Sequence, residues 1–119
     1  MHRCSNCHEV VEVERLRCSC CGLTYEGRFG LSRLARLEPD QQHLAEQIVL
    51  AAGSLKDVAG VLEISYPTLR KRLDALIQAL KDLQAGDEEQ IRHLLDQVEA
   101  GAMKSEEAAR LIKEINGGA

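Results

Sequence analysis

The chain is predicted to be mainly α-helical, with a small β module at its N-terminus. Three observations point there. All five cysteines fall within the first 30 residues, in two C-x2-C pairs bordered by short stretches of alternating apolar and polar residues. From residue 39 onward, apolar residues recur at spacings of three and four, the period of helices with one buried face. One Phe, two Tyr and no Trp leave aliphatic side chains to build the core. The pattern divides the 119 residues into a small ribbon (1–30), a three-helix unit with a long third helix (31–86) and a helical hairpin (87–119).

In the first unit, Cys4 and Cys7 form one pair, and Cys18 and Cys21 the other, with ten residues between. A C-x2-C turn lets two sulfurs face one ion while backbone N–H groups bond to the sulfurs, so four thiolates from two such turns close a tetrahedral zinc site. Val11 and Val13 alternate with Glu12 and Glu14, and Leu23 and Tyr25 with Thr24 and Glu26, so short strands are expected beside the turns. The expectation is a zinc ribbon holding structural Zn2+ through Cys4, Cys7, Cys18 and Cys21, with no open position for catalysis. Its segment is too short to fold by burial alone, and metal binding of about 10 kcal/mol would supply most of its folding free energy. Cys20 is the odd thiol, read as a tolerated small residue beside the alternatives of replacement ligand or redox trigger. His2 and His8 are surface residues in the same reading, because four sulfurs already complete the shell.

Residues 27–40 carry Phe29, Leu31, Leu34 and Leu37, spaced to dock the ribbon onto the helices. Glu38-Pro39-Asp40 then opens the first helix, since proline suits the first helical position and acids suit the positive end of the dipole. Leu44, Ile48, Val49 and Ala52 are assigned to its buried face, and Gly53 to its end.

Ser54, with Asp57 three residues on, caps a second helix with Val58, Ala59 and Leu62 inward. Glu63 stands where such turns commonly carry glycine, and Ser65 caps a third helix that begins Tyr66-Pro67-Thr68. Leu69, Leu73, Leu76, Ile77, Leu80 and Leu83 share one stripe of that helix. Two short helices joined by a tight turn present the second to the major groove of DNA, with its N-terminal turns facing the bases. Ser65, Tyr66, Thr68, Lys71 and Arg72 are the candidate base readers, and Lys56 and Arg70 the candidate phosphate contacts. The competing reading is a helical hairpin whose Arg70-Lys71-Arg72 run is solvated surface.

The third helix is expected to run from Tyr66 to Ala85, about 30 Å, with Gly86-Asp87 breaking it and capping the next. Its later apolar residues need a cover, from the first helix, the C-terminal hairpin or a second copy of the chain, and are read as a dimer contact with packing against residues 87–116 as the alternative. In that hairpin Ile91, Leu94, Leu95 and Val98 form one inward face. Ser105-Glu106-Glu107 opens the last helix with Ala108, Leu111, Ile112 and Ile115 inward, and Asn116-Gly117-Gly118 stops it.

Charge is uneven. Residues 1–40 and 41–86 are each balanced, six basic to six acidic and five to five, whereas 87–119 carries four basic against eight acidic and accounts for the net charge of −4. Without a net basic footprint, affinity for DNA must come from the local Arg70-Lys71-Arg72 cluster, presented twice by a homodimer. No apolar run is long enough to span a bilayer, and Met1-His2-Arg3-Cys4 lacks a secretory apolar segment, so the cytoplasm is expected. Catalysis is not expected, since no nucleophile stands beside a base and no phosphate-cradling glycine loop is present.

Taken in order, the first C-x2-C, LRCSCCG, EGRFGLSRLARLEPDQ and GSLKDVAGVLEISYPTLRKRLDALI resemble a family of uncharacterised bacterial proteins that join a zinc ribbon to a helix-turn-helix. The resemblance covers roughly residues 3–85, and ISYPTLRKRLDALI is its most specific part. The tail, IRHLLDQVEAGAMKSEEAARLIKEI, resembles SHOCT-like helical hairpins. The resemblance implies a cytoplasmic, zinc-containing transcriptional regulator; Glu63 and Cys20 depart from the pattern. The alternative function is a protein-interaction adaptor that uses the ribbon and the acidic hairpin, without specific DNA binding.

Overall fold

A computed structural model describes residues 3–116, so the readings placed on His2, Gly117 and Gly118 lie outside the described residues. Among the described residues the fold is mainly helical, with a two-stranded antiparallel sheet, β1 (Val13–Arg17) and β2 (Thr24–Phe29), and four α-helices. The helices are α1 (Pro39–Leu50), α2 (Leu55–Leu62), α3 (Tyr66–Glu99) and α4 (Ser105–Ile115), with a 3-10 turn at Leu34–Arg36 before α1.

The strands pair Arg15 with Glu26, Leu16 with Tyr25 and Arg17 with Thr24, and a register irregularity separates this ladder from the Val13–Phe29 pair. The first strand therefore begins two residues later than the Val11 alternation implied. Nearly all of both strands is solvent-exposed. So little burial cannot hold a two-stranded sheet by itself.

Helix starts follow the expected chemistry. Pro39 occupies the first turn of α1, and Glu38 and Gln41 form a reciprocal capping box. The Ser54 hydroxyl accepts from the Asp57 N–H at 3.4 Å, and Ser65 accepts from the Thr68 N–H at 3.3 Å. The last helix opens at Ser105 as expected, preceded by Lys104 at the cap position without a side-chain bond. Leu37, Leu44, Val58, Ala59, Leu69 and Leu76 form one core, with Leu69 fully enclosed. Leu94 and Ala108 are buried separately, where α4 folds back on the far half of α3.

The third helix does not stop at Ala85. It continues through Gly86 and Asp87 for 34 residues, about 50 Å. A single glycine costs a helix only about 1 kcal/mol relative to alanine, and here the position is held from outside. Asp87, 3% exposed, accepts from Arg33 Nε at 2.9 Å and from Arg36 at 2.9 Å and 2.6 Å. It is the buried anchor of the junction, not the cap of a new helix. The long helix spans both cores.

Several inward assignments also change. Leu44 and Ile48 face the core as expected, but Val49 and Ala52 are exposed, and Ala45 and Ala51 pack there instead. Leu34 and Leu95 are exposed as well. Leu73, Leu80 and Leu83 pack against the core of their own chain and only Ile77 of the α3 stripe is exposed, which leaves little of the stripe open for a dimer face. At the ribbon's exit, Gly30 lies so close to α4 that a Cβ there would overlap the Glu114 carbonyl. Residues 30–37 are thus a packed junction, tied to α4 by this approach and to α3 by the Asp87 ion pairs.

Candidate functional site

Between α2 and α3 the chain turns in three residues. Glu63 adopts φ 55°, ψ 42°, a left-handed conformation that costs an L-residue about 1 kcal/mol or more. Its neighbour Ile64 returns to pack against the core, and the Ile64 N–H donates to the Ala59 carbonyl at 3.1 Å. Ser65 then caps α3, and its hydroxyl also meets the Thr68 hydroxyl at 2.8 Å. Both hydroxyls are exposed yet already engaged in this local cap, which fixes the direction in which α3 leaves the turn.

At 100° per residue the predicted readers divide around α3. Leu69 and Leu76 point into the core. Opposite them lie Pro67, Lys71, Asp74 and Gln78, all exposed. Tyr66 and Arg70 occupy one flank, and Thr68 and Arg72 the other. Tyr66 is half uncovered, Arg70 Nε lies 3.4 Å from Asp74 Oδ1 in an exposed pair, and Lys71 faces solvent. Arg72 borders a cleft of about 370 Å3 against Asp40, Gln41 and His43 of α1. Lys56 is exposed near the start of α2. Tyr66, Lys71 and Arg72 are thus all exposed within the first two turns of α3 but on different sides of it, Lys71 outward and the other two on opposite flanks, and Arg70 pairs with Asp74 of its own helix.

The two cysteine pairs sit on loops of matching geometry. Cys4 N–H donates to the Glu9 carbonyl and His8 N–H to the Cys4 carbonyl; in the second loop, Cys18 N–H donates to Leu23 and Gly22 N–H to Cys18. His8 (φ 63°) and Gly22 (φ 78°) take the same left-handed position after the second cysteine. The Cys4 thiol is held below its ordinary pKa, chiefly by the N–H groups of Cys7 and Asn6, and the Cys18 thiol by those of Cys21 and Cys20. Cys20 thus corresponds to Asn6: its amide serves Cys18 while its side chain is exposed. Each loop suits two metal-bound sulfurs, since N–H groups directed at sulfur favour the thiolate. Across the loops the gathering is incomplete, for among the described residues no group of three or more His, Cys, Asp or Glu side chains is placed to hold a metal ion.

Sequence reasoning missed Arg33, Arg36 and Asp87. Burial alone would raise the Asp87 pKa, but the hydrogen bonds and charges of Arg36 and Arg33 outweigh it and hold the carboxyl below its ordinary range. The available signal was an R-x-x-R spacing inside an apolar junction, with no local partner for either arginine.

A three-helix unit whose last two helices meet at a short left-handed turn, with the open end of the third facing solvent, has the arrangement of a helix-turn-helix. Residues 37–82 match the family model described as "Domain of unknown function (DUF2089)-HTH". The matched stretch begins at the buried Leu37 and ends within α3, so it spans the three-helix unit and leaves out the ribbon and the hairpin. No curated protein and no solved structure matches the chain. No helix among the described residues is long and apolar enough to cross a membrane.

Proposed function

We propose that this protein is a DNA-binding transcriptional regulator in which α3 reads the major groove from its first two turns. The observation that carries this reading is the coincidence of the matched helix-turn-helix stretch with a capped, solvent-facing helix start bearing Tyr66, Lys71 and Arg72. Lys71 and Tyr66 reach base edges, Lys56 and Arg70 contact phosphates, and Arg72 serves either strand from its flank. Ser65 and Thr68 orient the helix, with spare hydroxyl lone pairs for a base or phosphate donor. The protein acts as a homodimer, which doubles a small basic cluster and reads half-sites about 34–36 Å apart or a multiple of that.

Selection of genomic fragments by the zinc-loaded protein, at two salt concentrations and beside a Lys71→Ala, Arg72→Ala variant, tests the reading. Enrichment of a few sequences that the folded variant loses is expected, with affinity falling steeply as salt rises. Equal, salt-abolished binding by both proteins would overturn it in favour of the adaptor.

The same proposal gives the cysteine loops one structural zinc, held by Cys4, Cys7, Cys18 and Cys21. The matching loop geometry and the sulfur-directed N–H groups support it. Elemental analysis of the purified chain should find one zinc per protein, lost in Cys18→Ser and retained in Cys20→Ser. Retention in the first or loss in the second would require another ligand set.

A further inference from the structure

The first helix carries two faces. Leu44 and Ile48 face the core, while a groove of about 740 Å3 runs along the opposite side, between α1 and the turn at Ser32–Ala35. One wall is fixed in place, because Gln42 Nε2 donates to the carbonyls of Ala35 at 3.0 Å and Leu37 at 2.7 Å. Leu34, 56% exposed, stands at the end near the start of α1; Val49 and Leu50, 78% and 73% exposed, stand at the other. Exposed His43 and Glu46 lie between them on the same line of the helix.

Three bare aliphatic side chains along one groove are more than single scattered exposures explain. Their order identifies what covers them. An apolar lobe at each end and a complementary polar pair in the middle are self-complementary about a two-fold axis crossing α1 midway between His43 and Glu46. In that antiparallel pairing, Leu50 meets Pro39 and Leu34 of a second copy, Glu46 meets its His43, and each contact occurs twice. We propose that this α1 face is the homodimer interface of the protein. The assignment replaces the α3 stripe, which apart from Ile77 is already packed within its own chain. It rests on the dimeric reading above and gives that dimer a surface on the helix preceding the turn, leaving the open side of α3 free.

Sedimentation of the full zinc-loaded chain without DNA tests this surface separately from groove reading. The wild-type protein should dimerise in the micromolar range, since one 12-residue helix offers a small interface. Leu50→Glu should weaken the dimer at least tenfold with the helical circular dichroism unchanged, because the position is exposed in the single chain. Glu46→Lys and His43→Glu should each weaken it, and the two together should restore it, since the swap exchanges the partners across the axis. A wild-type protein that remains monomeric at hundreds of micromolar would overturn the proposal. So would a dimer that Leu50→Glu leaves intact and Ile77→Glu breaks, or a double swap that restores nothing. DNA binding lost in Lys71→Ala, Arg72→Ala with the dimer intact would leave both readings standing; a monomer that still selects DNA would remove the dimer alone.

Discussion

Glu63 shows how one residue can hold a turn at a cost. Its left-handed backbone joins α2 to α3, where glycine would take φ 55° without the Cβ clash. The local hydrogen bonds and the packing of Ile64 keep the geometry despite that cost. Glu63→Gly should therefore raise stability by about 0.5–1 kcal/mol, the relief of the left-handed strain reduced by the greater freedom of unfolded glycine. Chemical denaturation checks it, and an unchanged or lower midpoint at the same slope would show that the Glu63 side chain contributes something the turn needs. His8 takes the corresponding left-handed position in the first cysteine loop, where Gly22 serves the second. Glu63 was legible from its place in the turn, where glycine is usual, and Gly22 from being a glycine after the second cysteine pair; His8 was not, because nothing in its residue type signals left-handed geometry.

Among the elements, α3 is the one whose length depends on the rest of the molecule. Its first half packs in the helix-turn-helix core, its second half carries α4, and Asp87 ties its middle to Arg33 and Arg36. Arg36 Nε is buried without a hydrogen-bond partner among the described residues, so the ion-pair cluster carries a desolvation cost of its own. Removing the carboxylate would leave two arginines facing an uncharged pocket. Asp87→Asn should lower stability by about 2–3 kcal/mol, less than for a fully enclosed pair because Arg33 is partly exposed to solvent. The pH dependence has a definite sign. A carboxyl held below its ordinary pKa stabilises the fold fully above the unfolded value of about 3.9, and that contribution is lost as pH falls through the lower folded value. Acid titration should thus show wild-type and Asp87→Asn proteins converging in stability below about pH 3.9; a constant gap down to the folded value would exclude the ion pairs as its source.

At the scale of the whole molecule, the chain is extended rather than spherical. Its radius of gyration is 18.1 Å, against about 13.5 Å for a compact domain of this length. The ribbon buries little of its own surface, while the helical cores enclose most of the buried aliphatic residues. If the four cysteines hold the proposed zinc, its loss should unfold the ribbon and leave the helices standing. Strong chelation is expected to expose residues 3–29 to proteolysis while the helical circular dichroism falls by no more than about a tenth, since metal supplies the folding free energy of such modules. A cooperative loss of the helical signal would show that the junction through Gly30 and the Asp87 ion pairs transmits the loss into the helical body.

What the sequence determined by itself is local. Caps at Ser54 and Ser65, proline in the first turn of α1 and the three-and-four spacing of leucines mark where helices begin and which stripe they bury, because these effects act within one or two turns of chain. The C-x2-C pairs fix two matching loops for the same reason. Tertiary structure decided the rest: the continuation of α3 through Gly86, the exposure of Leu34, Val49 and Leu50, and the position of Asp87. The ion pairs join Asp87 to residues 51 and 54 positions earlier, so no local pattern could assign them. A breaker such as Gly86 states only a local preference, and packing at both ends of a long helix outweighs a preference of about 1 kcal/mol.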